Sequence, residues 1–544
     1  MQIQTIDASM IRKCFLAGAA ALDAKKELVN ELNVFPVPDG DTGTNMTMTI
    51  MSAAKEVREL PEDPEMKPLC KAISGGSLKG ARGNSGVILS QLLRGFTKEI
   101  RDKSEVDAST LQAAFERAVG QAYKAVMKPK EGTILTVARG GAKKAFEMSE
   151  VTDNLVEIVN AVLIHMEDVL EQTPDMLPVL KEAGVVDSGG QGLLIFLQGA
   201  YDVLLGKEVN YEEADEAEES KISYTYHAVF KILPEGSFSK KSERELKNYL
   251  ESIGEVECCA AEDADVAVDI LTNDPGLVLQ KAVECGQIVG VSIDNLKADD
   301  DTKSTSGTSN DNKEESEAAY EKLPHKENAF ISVSAGDGIS EIFKDLGVDV
   351  IIEGGQTMNP STEDILTAIG RIDADHIFIL PNNGNILLAA NQAKDMSKDQ
   401  DVHVIQSKNI PQGIASMLGF IDGVSADENE ENMNLALKEI KEGEVTYAVR
   451  DTSVDGKEIK KGDIMGICGK KIEAVGTDVV DTTVDLVRHM LDEDSELVTL
   501  YYGEEASEDE AAKIANKIGL ERLDLEFDIQ SGGQPIYYYF VSVE

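Results

Sequence analysis

Two segments with almost nothing to bury interrupt this chain, and they constrain its fold more than any other feature. The first is the acidic run at residues 212–220, and the second, residues 298–326, consists mainly of Asp, Ser, Thr, Asn, Glu and Lys. Such segments cannot bury enough apolar surface to offset the entropy lost on folding. We therefore expect a solvated linker at the first and a disordered acidic and polar linker, residues 298–327, at the second.

The part before the first linker, residues 1–210, is rich in Ala, Leu, Gly and Met. Its apolar residues recur at helical spacing, as Ile11, Phe15 and Leu22 do near the start of the chain. Few of its segments show the alternation of apolar and polar residues that is typical of a strand. This pattern predicts an all-α N-terminal domain whose loops carry the glycines.

Strand and helix patterns alternate in the other two parts. In residues 221–297, strand-like segments such as 226–233 alternate with helical ones, which predicts a small α+β middle domain. In residues 328–544, apolar runs such as 376–380 alternate with helices, which predicts an α/β C-terminal domain with a mostly parallel sheet. After residue 445, shorter strands predict a second subdomain in the same half.

Acidity is the main compositional feature, with a formal net charge of -47. A chain this acidic repels nucleic acids and anionic membranes, so we expect no nucleic-acid partner. Any phosphate ligand must then be held through metal ions and backbone N–H groups. No apolar run is long enough to cross a bilayer, and six cysteines without Cys-x-x-Cys spacing indicate reduced thiols. We expect a cytoplasmic protein with no integral membrane segment.

Residues 33–45 read Asn-Val-Phe-Pro-Val-Pro-Asp-Gly-Asp-Thr-Gly-Thr-Asn and place Asp39 and Asp41 two residues apart in a glycine-rich turn. In proteins, Mg²⁺ is usually held by one or two carboxylates together with phosphate oxygens and water. Gly40 and Gly43 would let backbone N–H groups approach a phosphate. The helix predicted to follow would add the positive end of its dipole. We interpret the segment as a loop for a metal and a phosphate.

This loop has two other interpretations. Asp-Gly pairs are ordinary turn formers, and most of them bind nothing. A calcium-binding loop is the second alternative, because Asp39, Asp41 and Gly43 resemble the start of one. It fits poorly, since the glycine comes one place early and Ile50 stands where the loop needs a bidentate Glu.

Two further glycine-rich turns, residues 80–86 (Gly-Ala-Arg-Gly-Asn-Ser-Gly) and 187–192 (Asp-Ser-Gly-Gly-Gln-Gly), open predicted helices. Helix N-termini bind phosphate through backbone N–H groups, and Ser85 could add its hydroxyl. Each turn could instead serve only packing. The chain has no P-loop, complete dinucleotide-binding, protein-kinase or His-Glu-x-x-His motif, and its six histidines are scattered.

Together these motifs resemble those of the ATP-binding subunit of bacterial fatty acid kinase. In the N-terminal part the resemblance rests on residues 33–46, 83–87, 131–133 and 187–192. It continues in residues 354–362, 381–386 and 410–413, so it covers essentially the whole chain. The N-terminal part of that family is similar to the nucleotide-binding L domain of dihydroxyacetone kinases, an all-helical barrel with two magnesium ions between aspartates and phosphates.

The resemblance implies an activity, cofactors and partners. It implies a kinase that uses ATP and Mg²⁺, with two ions, to phosphorylate the carboxylate of a fatty acid. The fatty acid is held by a separate acyl-binding protein, and the acyl phosphate serves lipid synthesis. The C-terminal domain is implied to dock that partner, and the family favours a homodimer.

The resemblance also implies site residues by position. Asp39 and Asp41 would be catalytic residues that ligate magnesium, with Asn33 as a further metal neighbour. The implied nucleotide-binding residues are Thr44, Asn45, Asn84, Ser85, Gly86, Thr133, Asp187, Ser188 and Gly189. A carboxylate acceptor is ionised at neutral pH and needs no general base, so the lack of an obvious catalytic His is no objection.

The middle domain departs from the family, whose members carry a Cys and a His-x-His pair that look like a zinc site. The matching segments here are residues 226–230 (Tyr-His-Ala-Val-Phe) and 268–272 (Val-Asp-Ile-Leu-Thr), so most of those ligand positions are lost. Cys258, Cys259 and Cys285 lie nearby without a recognised spacing, and we interpret them as buried thiols. We therefore predict no structural zinc in this domain.

Two other functions stay open at this point. A small-molecule kinase of the dihydroxyacetone type would need a companion sugar-binding domain, and nothing after residue 209 resembles one. A non-enzymatic nucleotide-binding adaptor is the second alternative, and the Asp39 and Asp41 pair argues against it. The glycine and asparagine clusters at residues 354–359 and 382–385 are either docking loops or caps at strand ends of the α/β sheet.

Overall fold

The computed structural model describes most of the chain, and it divides into two compact units, Met1–Val209 with Ala319–Glu544, and Asn210–Ala318. The described residues are 2–34, 40–126, 128–207, 226–234, 246, 247, 250, 254–262, 265–272, 275–295, 322–355, 358–448, 452–454, 457–469 and 471–544. Asp39, the acidic run at 212–220 and residues 298–321 of the predicted linker lie outside them.

Within the described residues, the named elements of the N-terminal part are all helices, beside one isolated bridge between Ile6 and Val106, which confirms the predicted all-α domain. They are α1 (Ala8–Asp23), α2 (Lys26–Glu31), α3 (Thr42–Arg58), α4 (Met66–Lys79), α5 (Gly83–Ile100), α6 (Ala108–Ala125), α7 (Ile134–Ser149), α8 (Leu155–Glu171), α9 (Thr173–Met176), α10 (Pro178–Ala183) and α11 (Ser188–Leu204). Side chains from α1, α4, α5, α6, α7, α8 and α11 surround an apolar cavity of about 160 Å³. The amphipathic stripes of these helices therefore face one shared interior.

Local capping explains where several of these helices begin. Asp7 accepts a hydrogen bond of 2.8 Å from the Met10 N–H group at the start of α1. Asp107 does the same for the Thr110 N–H group at the start of α6. Each carboxylate satisfies a backbone donor that has no partner inside its helix.

The described part of the smaller unit includes four strands and a helix. They are β1 (Tyr226–Leu233), β2 (Gly254–Glu262), β3 (Asp265–Thr272), α12 (Pro275–Cys285) and β4 (Gln287–Asn295). The strands form an antiparallel sheet in the order β2-β3-β1-β4. Phe230, Val268 and Ile270 are buried in its core together with Val278 of α12. A one-sided apolar face packed on a helix is what an alternating strand pattern requires.

The C-terminal domain begins with a parallel sheet in the order β6-β5-β7-β8. Its elements are β5 (Lys326–Ser334), α13 (Asp337–Asp345), β6 (Val350–Glu353), α14 (Thr362–Arg371), β7 (Ala374–Leu380), α15 (Leu387–Met396), β8 (Asp401–Val404), α16 (Ile410–Leu418) and α17 (Ala426–Ala436). Ile331 and Ile377 point to one buried face, and Phe330 and Phe378 point to the other. Helices cover both faces, which explains the continuous apolar runs in these strands.

A second subdomain completes the chain, and the predicted α/β class of this half is confirmed. Its elements are β9 (Lys441–Tyr447), β10 (Thr452–Val454), β11 (Lys457–Ile459), β12 (Ile464–Cys468), β13 (Lys471–Gly476), α18 (Val479–Met490), β14 (Leu497–Tyr502), α19 (Glu508–Gly519), β15 (Glu526–Ser531) and β16 (Tyr539–Val543). Six of the strands form a mixed sheet in the order β13-β12-β9-β16-β14-β15, and β10 pairs with β11. Val445, Leu500 and Val541 pack beneath α18 and α19.

The helical domain and the parallel sheet share a hydrophobic core. Ala81 and Val87, at the start of α5, are buried in the same cluster as Ile331 and Ile365 of the C-terminal domain. The two domains are therefore packed against each other at the second glycine-rich turn. Among the described helices, none combines the length and the apolar character needed to cross a membrane.

Candidate functional site

The first predicted loop ends at the start of α3, where Asp41 occupies the N-cap position. The Asp41 side chain makes no capping hydrogen bond to that helix, so its carboxylate is directed elsewhere. Asn30 of α2 fixes the first turn, because its amide donates to Thr44 Oγ1 (3.1 Å) and accepts from the Thr44 N–H group (3.0 Å). Asn33 is buried beside α2, 2% exposed. The metal-ligand role predicted for Asp39 lies outside the described residues.

The second glycine-rich turn lies directly against the first. Gly83 has a φ of 58°, and a Cβ atom on it would lie only 2.5 Å from Asn45 Nδ2. The Arg82 N–H group donates to Thr49 Oγ1 of α3 at 3.2 Å. The structure thus brings together the predicted residues Asn45 and Asn84 at the adjoining N-termini of α3 and α5.

The Asp187 carboxylate links the start of α11 to the start of α7 through hydrogen bonds. Its carboxylate accepts hydrogen bonds from the Gly190 N–H group at 2.7 Å and from the backbone of Ile134. It is 5% exposed, and burial raises the pKa of this carboxyl group to about 7. Thr133, the residue before α7, donates its hydroxyl to the Lys130 carbonyl at 2.8 Å. The described contacts of Asp187 are therefore structural, and its nucleotide-binding role stays a prediction.

Four helices begin at the same end of the helical domain. The N-termini of α3 and α5 meet at Asn45 and Gly83, and those of α7 and α11 meet at Asp187. Met46 and Gly192, each about one turn into α3 and α11, are in contact. Ser188 and Gly189 are buried in the first turn of α11. Converging helix dipoles and backbone N–H groups suit this end to a polyphosphate anion.

The C-terminal domain reaches the same place, which the sequence interpretation did not predict. Asn359 Nδ2 donates to Asp41 Oδ2 at 2.6 Å, and the Asn359 carbonyl accepts from Arg82 Nη1 at 2.8 Å. Asn84 Nδ2 donates to Asn385 Oδ1 at 2.9 Å. Asn359 and Asn385 follow strands of the parallel sheet at its carboxyl edge, where open α/β sheets usually bind ligands. In the sequence, the position of Asn359 and Asn385 after predicted strands was the signal that could have located this contact.

Further buried hydrogen bonds hold this junction. The Thr362 N–H group donates to the Ala81 carbonyl at 3.1 Å. Gln392 Nε2 donates to the Leu78 carbonyl at 2.8 Å, and its Oε1 accepts from Gln91 Nε2 at 2.9 Å. Such a network costs free energy unless every member is paired, so it specifies one arrangement of the two domains.

The donor set at the junction fits a hard divalent cation. Asp41 supplies a half-buried carboxylate, and the buried Oδ1 of Asn359 has no hydrogen-bond partner among the described residues. A buried acceptor without a donor costs about 1–3 kcal/mol, which a cation or a ligand N–H group would relieve. Carboxylate and amide oxygens are the ligand types that Mg²⁺ prefers. The site can therefore hold a metal and a phosphate between two domains.

Comparisons with known families cover nearly the whole chain. The family model for the C-terminal domain of FakA-like fatty acid kinase proteins matches residues 329–544. The DAK2 domain model matches residues 36–202, and the model for the FakA-like middle domain matches residues 223–303. The chain is 41% identical over 562 residues to Protein YloV of Bacillus subtilis and 40% identical over 560 residues to the uncharacterized protein SH1689 of Staphylococcus haemolyticus, covering 100% of both chains in each case.

Solved structures resemble part of the chain. A dihydroxyacetone kinase from C. freundii in complex with AMP-PNP and Mg²⁺ is 16% identical, with a TM-score of 0.29 over 36% of this chain and 33% of its own. A Streptococcus pneumoniae fatty acid kinase B3 protein loaded with linoleic acid is 13% identical, with a TM-score of 0.28 over 40% of this chain and 99% of its own. Both similarities are too low to support a functional assignment.

Proposed function

Because the chain belongs to the family of FakA-like fatty acid kinase proteins, we propose that it is the ATP-binding kinase component of a two-component fatty acid kinase. It transfers the γ-phosphoryl group of ATP to the carboxylate of a fatty acid held by a separate acyl-binding protein. The product is an acyl phosphate. The kinase class rests on the family, and the fatty acid substrate, the partner and the cofactors are our proposal.

One observation carries this proposal. Asp41 stands at the N-cap of α3, beside the start of α5, and its carboxylate is contacted by Asn359 of the C-terminal domain. A carboxylate beside converging helix N-termini suits a metal-bound polyphosphate better than a free anion, since the carboxylate would repel an anion without a metal.

Each site residue has a role in this proposal. Asp39 and Asp41 would hold Mg²⁺, with Asn33 nearby, and the metal would supply charge neutralisation at the phosphates. Thr44, Asn45, Asn84, Ser85 and Gly86 would contact the phosphates from the adjoining turns. Thr133, Asp187, Ser188 and Gly189 would close the nucleotide site from the starts of α7 and α11. Two magnesium ions and a homodimeric assembly are further parts of the proposal.

The chemistry needs positioning more than acid–base catalysis. The acceptor carboxylate is ionised at neutral pH, so no side chain has to remove a proton from it. One of its oxygens forms a bond to the γ-phosphorus while the bond between that phosphorus and the β–γ bridging oxygen breaks, and ADP leaves. The Asn359 amide holds the Asp41 carboxylate in place. The hydrogen bond from Asn84 to Asn385 links the two domains beside the same turns.

The experiment follows acyl phosphate as its hydroxamate with purified chain, Mg²⁺, ATP, oleate and a candidate acyl-binding protein. We expect product only when both proteins are present, and loss of product in Asp41→Asn. Asp102→Asn is the matched control, because Asp102 is exposed and pairs with its neighbour Arg101. Rapid ATP turnover by the chain alone with free dihydroxyacetone would contradict the proposal and favour a small-molecule kinase.

A further inference from the structure

Two histidines and an aspartate meet at the amino ends of β7 and β8. These strands are parallel neighbours, and His376 lies opposite Asp401 while Phe378 lies opposite His403 in the register. Because alternate residues of a strand share a face, all three polar side chains project from the same side of the sheet. His376 and His403 are far apart in the sequence, and the sheet register brings them together.

The three side chains converge closely enough to share one ion. His376 Nδ1 lies 2.7 Å from Asp401 Oδ2, and His403 Nε2 lies 3.2 Å from the same oxygen. One ligand atom from each residue falls within 4.8 Å of the others. At 2.7 and 3.2 Å these atoms make hydrogen bonds, and small side-chain movements would open them to the roughly 3.3 Å that separates ligands lying about 2.0–2.2 Å from one tetrahedral metal ion.

His403 is held rigidly by contacts on its other side. Its Nδ1 atom lies 2.6 Å from Glu430 Oε2 of α17, and its ring stacks on Phe378 with the centroids 5.1 Å apart. The side chain is only 6% exposed. A histidine that ligates a metal usually donates its second ring N–H group to a carboxylate, which fixes the tautomer and the orientation of the ring.

With a neutral His403 the cluster lacks one hydrogen-bond donor. A neutral imidazole carries one N–H group, yet both ring nitrogens of His403 face carboxylate oxygens. If Nδ1 donates to Glu430, the lone pair on Nε2 points at Asp401 and repels it. Either an additional proton or a metal ion must lie between them.

We propose that His376, Asp401 and His403 bind a divalent transition metal such as Zn²⁺, with Glu430 orienting His403 from outside the ligand set. Two imidazoles and one carboxylate suit Zn²⁺ and similar ions, whereas Mg²⁺ prefers oxygen ligands. His376 and Asp401 are 34% and 55% exposed, so a water molecule can complete the coordination. The net charge of -47 raises the local concentration of cations around the chain.

This metal site is distinct from the proposed kinase site. His376 is near the beginning of β7, whereas Asn385 follows its end and contacts Asn84. At about 3.3 Å per residue, the two ends of the strand are about 20 Å apart. The metal would tie β7, β8 and α17 together. The site goes beyond the proposed function and does not depend on it.

The test uses the full chain, stripped with a chelator and kept in excess Mg²⁺ so that oxygen-ligand sites are filled. Zn²⁺ alone is titrated by calorimetry, and Co²⁺ alone is followed by visible absorption. His376→Gln and Asp401→Asn each remove one exposed ligand. His325→Gln is the matched control, because His325 is an exposed histidine between Asp373 and Asp375 of the same domain.

We expect the wild type and His325→Gln to bind one more equivalent of Zn²⁺ than His376→Gln and Asp401→Asn. Glu430→Gln should bind the same number of Zn²⁺ equivalents as the wild type, but its affinity for the ion at this site should be about 10–100-fold lower. Zn²⁺ should also raise the melting temperature of the wild type and of the control more than that of the two ligand variants. Equal Zn²⁺ stoichiometry in the wild type and both ligand variants would overturn the proposal.

Discussion

Asn359 of the C-terminal domain donates a hydrogen bond of 2.6 Å to the Asp41 carboxylate of the helical domain, across 318 residues of sequence. Asn359 is 5% exposed, and its carbonyl also accepts from Arg82. The side chain that we expect to ligate magnesium is therefore positioned by the domain that we expect to dock the acyl-binding partner. We therefore expect this pair to couple nucleotide binding to the contact between the two domains.

Asn359→Asp tests that coupling, because it places a second carboxylate against Asp41. Like charges at this distance repel, so the domain contact should loosen in buffer without Mg²⁺. Added Mg²⁺ should restore it, since the ion can lie between two carboxylates. Hydrogen exchange of residues 80–86 and 358–364 measures the contact.

Asn391→Asp is the control for this variant, because the Asn391 amide donates to the Leu387 carbonyl within its own helix. In Asn391→Asp, the backbone amides of residues 80–86 and 358–364 should exchange hydrogen at the wild-type rate with or without Mg²⁺. Residues 80–86 and 358–364 of Asn359→Asp could instead be as protected from hydrogen exchange as in the wild type, with no response to Mg²⁺. That result would show that the two domains are not coupled through this pair.

Gly83→Ala should weaken ATP binding about tenfold, which corresponds to about 1.4 kcal/mol. The new methyl group would lie 2.5 Å from the Asn45 amide and displace a proposed phosphate contact. Gly184→Ala is a matched control, because Gly184 has a φ of 67° and open space around it. Both variants bear the cost of about 1–2 kcal/mol for a left-handed alanine, so equal ATP affinities in isothermal titration would contradict the site.

Asp187→Asn should become more stable relative to the wild type as the pH rises from 4.5 to 7.5. Burial raises the pKa of Asp187 from 3.8 to about 7, so the folded state retains a proton that the unfolded state loses between these values. Wild-type stability therefore falls as pH rises through this window. Asparagine also accepts at an N-cap but does not ionise. At about 1.4 kcal/mol per pKa unit, the relative gain is at most about 4 kcal/mol.

The melting temperatures of both proteins across this pH range check the prediction. Asp107→Asn is the control, because the hydrogen bond from the Thr110 backbone holds the pKa of Asp107 below its ordinary value. Asp107 is thus largely ionised in both states over the range, and its variant should show little pH-dependent difference. A difference for Asp187→Asn that is constant or falls with pH would contradict the assigned burial.

The sequence predicts the start of a helix well where the interactions that fix it join neighbouring residues. The helix α19, Glu508–Gly519, begins where Ser507 and Glu510 form a capping box, a Ser-x-x-Glu pattern that is visible in the sequence itself. The turn before α5 was recognised because it is rich in glycine, and Gly83 adopts the positive φ that favours this residue.

Contacts between distant segments could not be predicted in this way. Asn359 and Asp41 meet because two domains pack together, and neither residue carries a local pattern that identifies its partner. His376 and His403 meet because β7 and β8 are neighbours with one particular register, which the spacing of the two residues does not reveal. Strand order and register depend on the packing of the whole sheet.

The most direct measurement of the central claim is Mg²⁺-dependent formation of acyl phosphate from oleate and ATP by the chain together with an acyl-binding protein, in the wild type and in Asp41→Asn. The account predicts product that requires both proteins and falls at least about a hundredfold in Asp41→Asn, since several kcal/mol of transition-state stabilisation depend on the metal. Undiminished product formation in Asp41→Asn would contradict it.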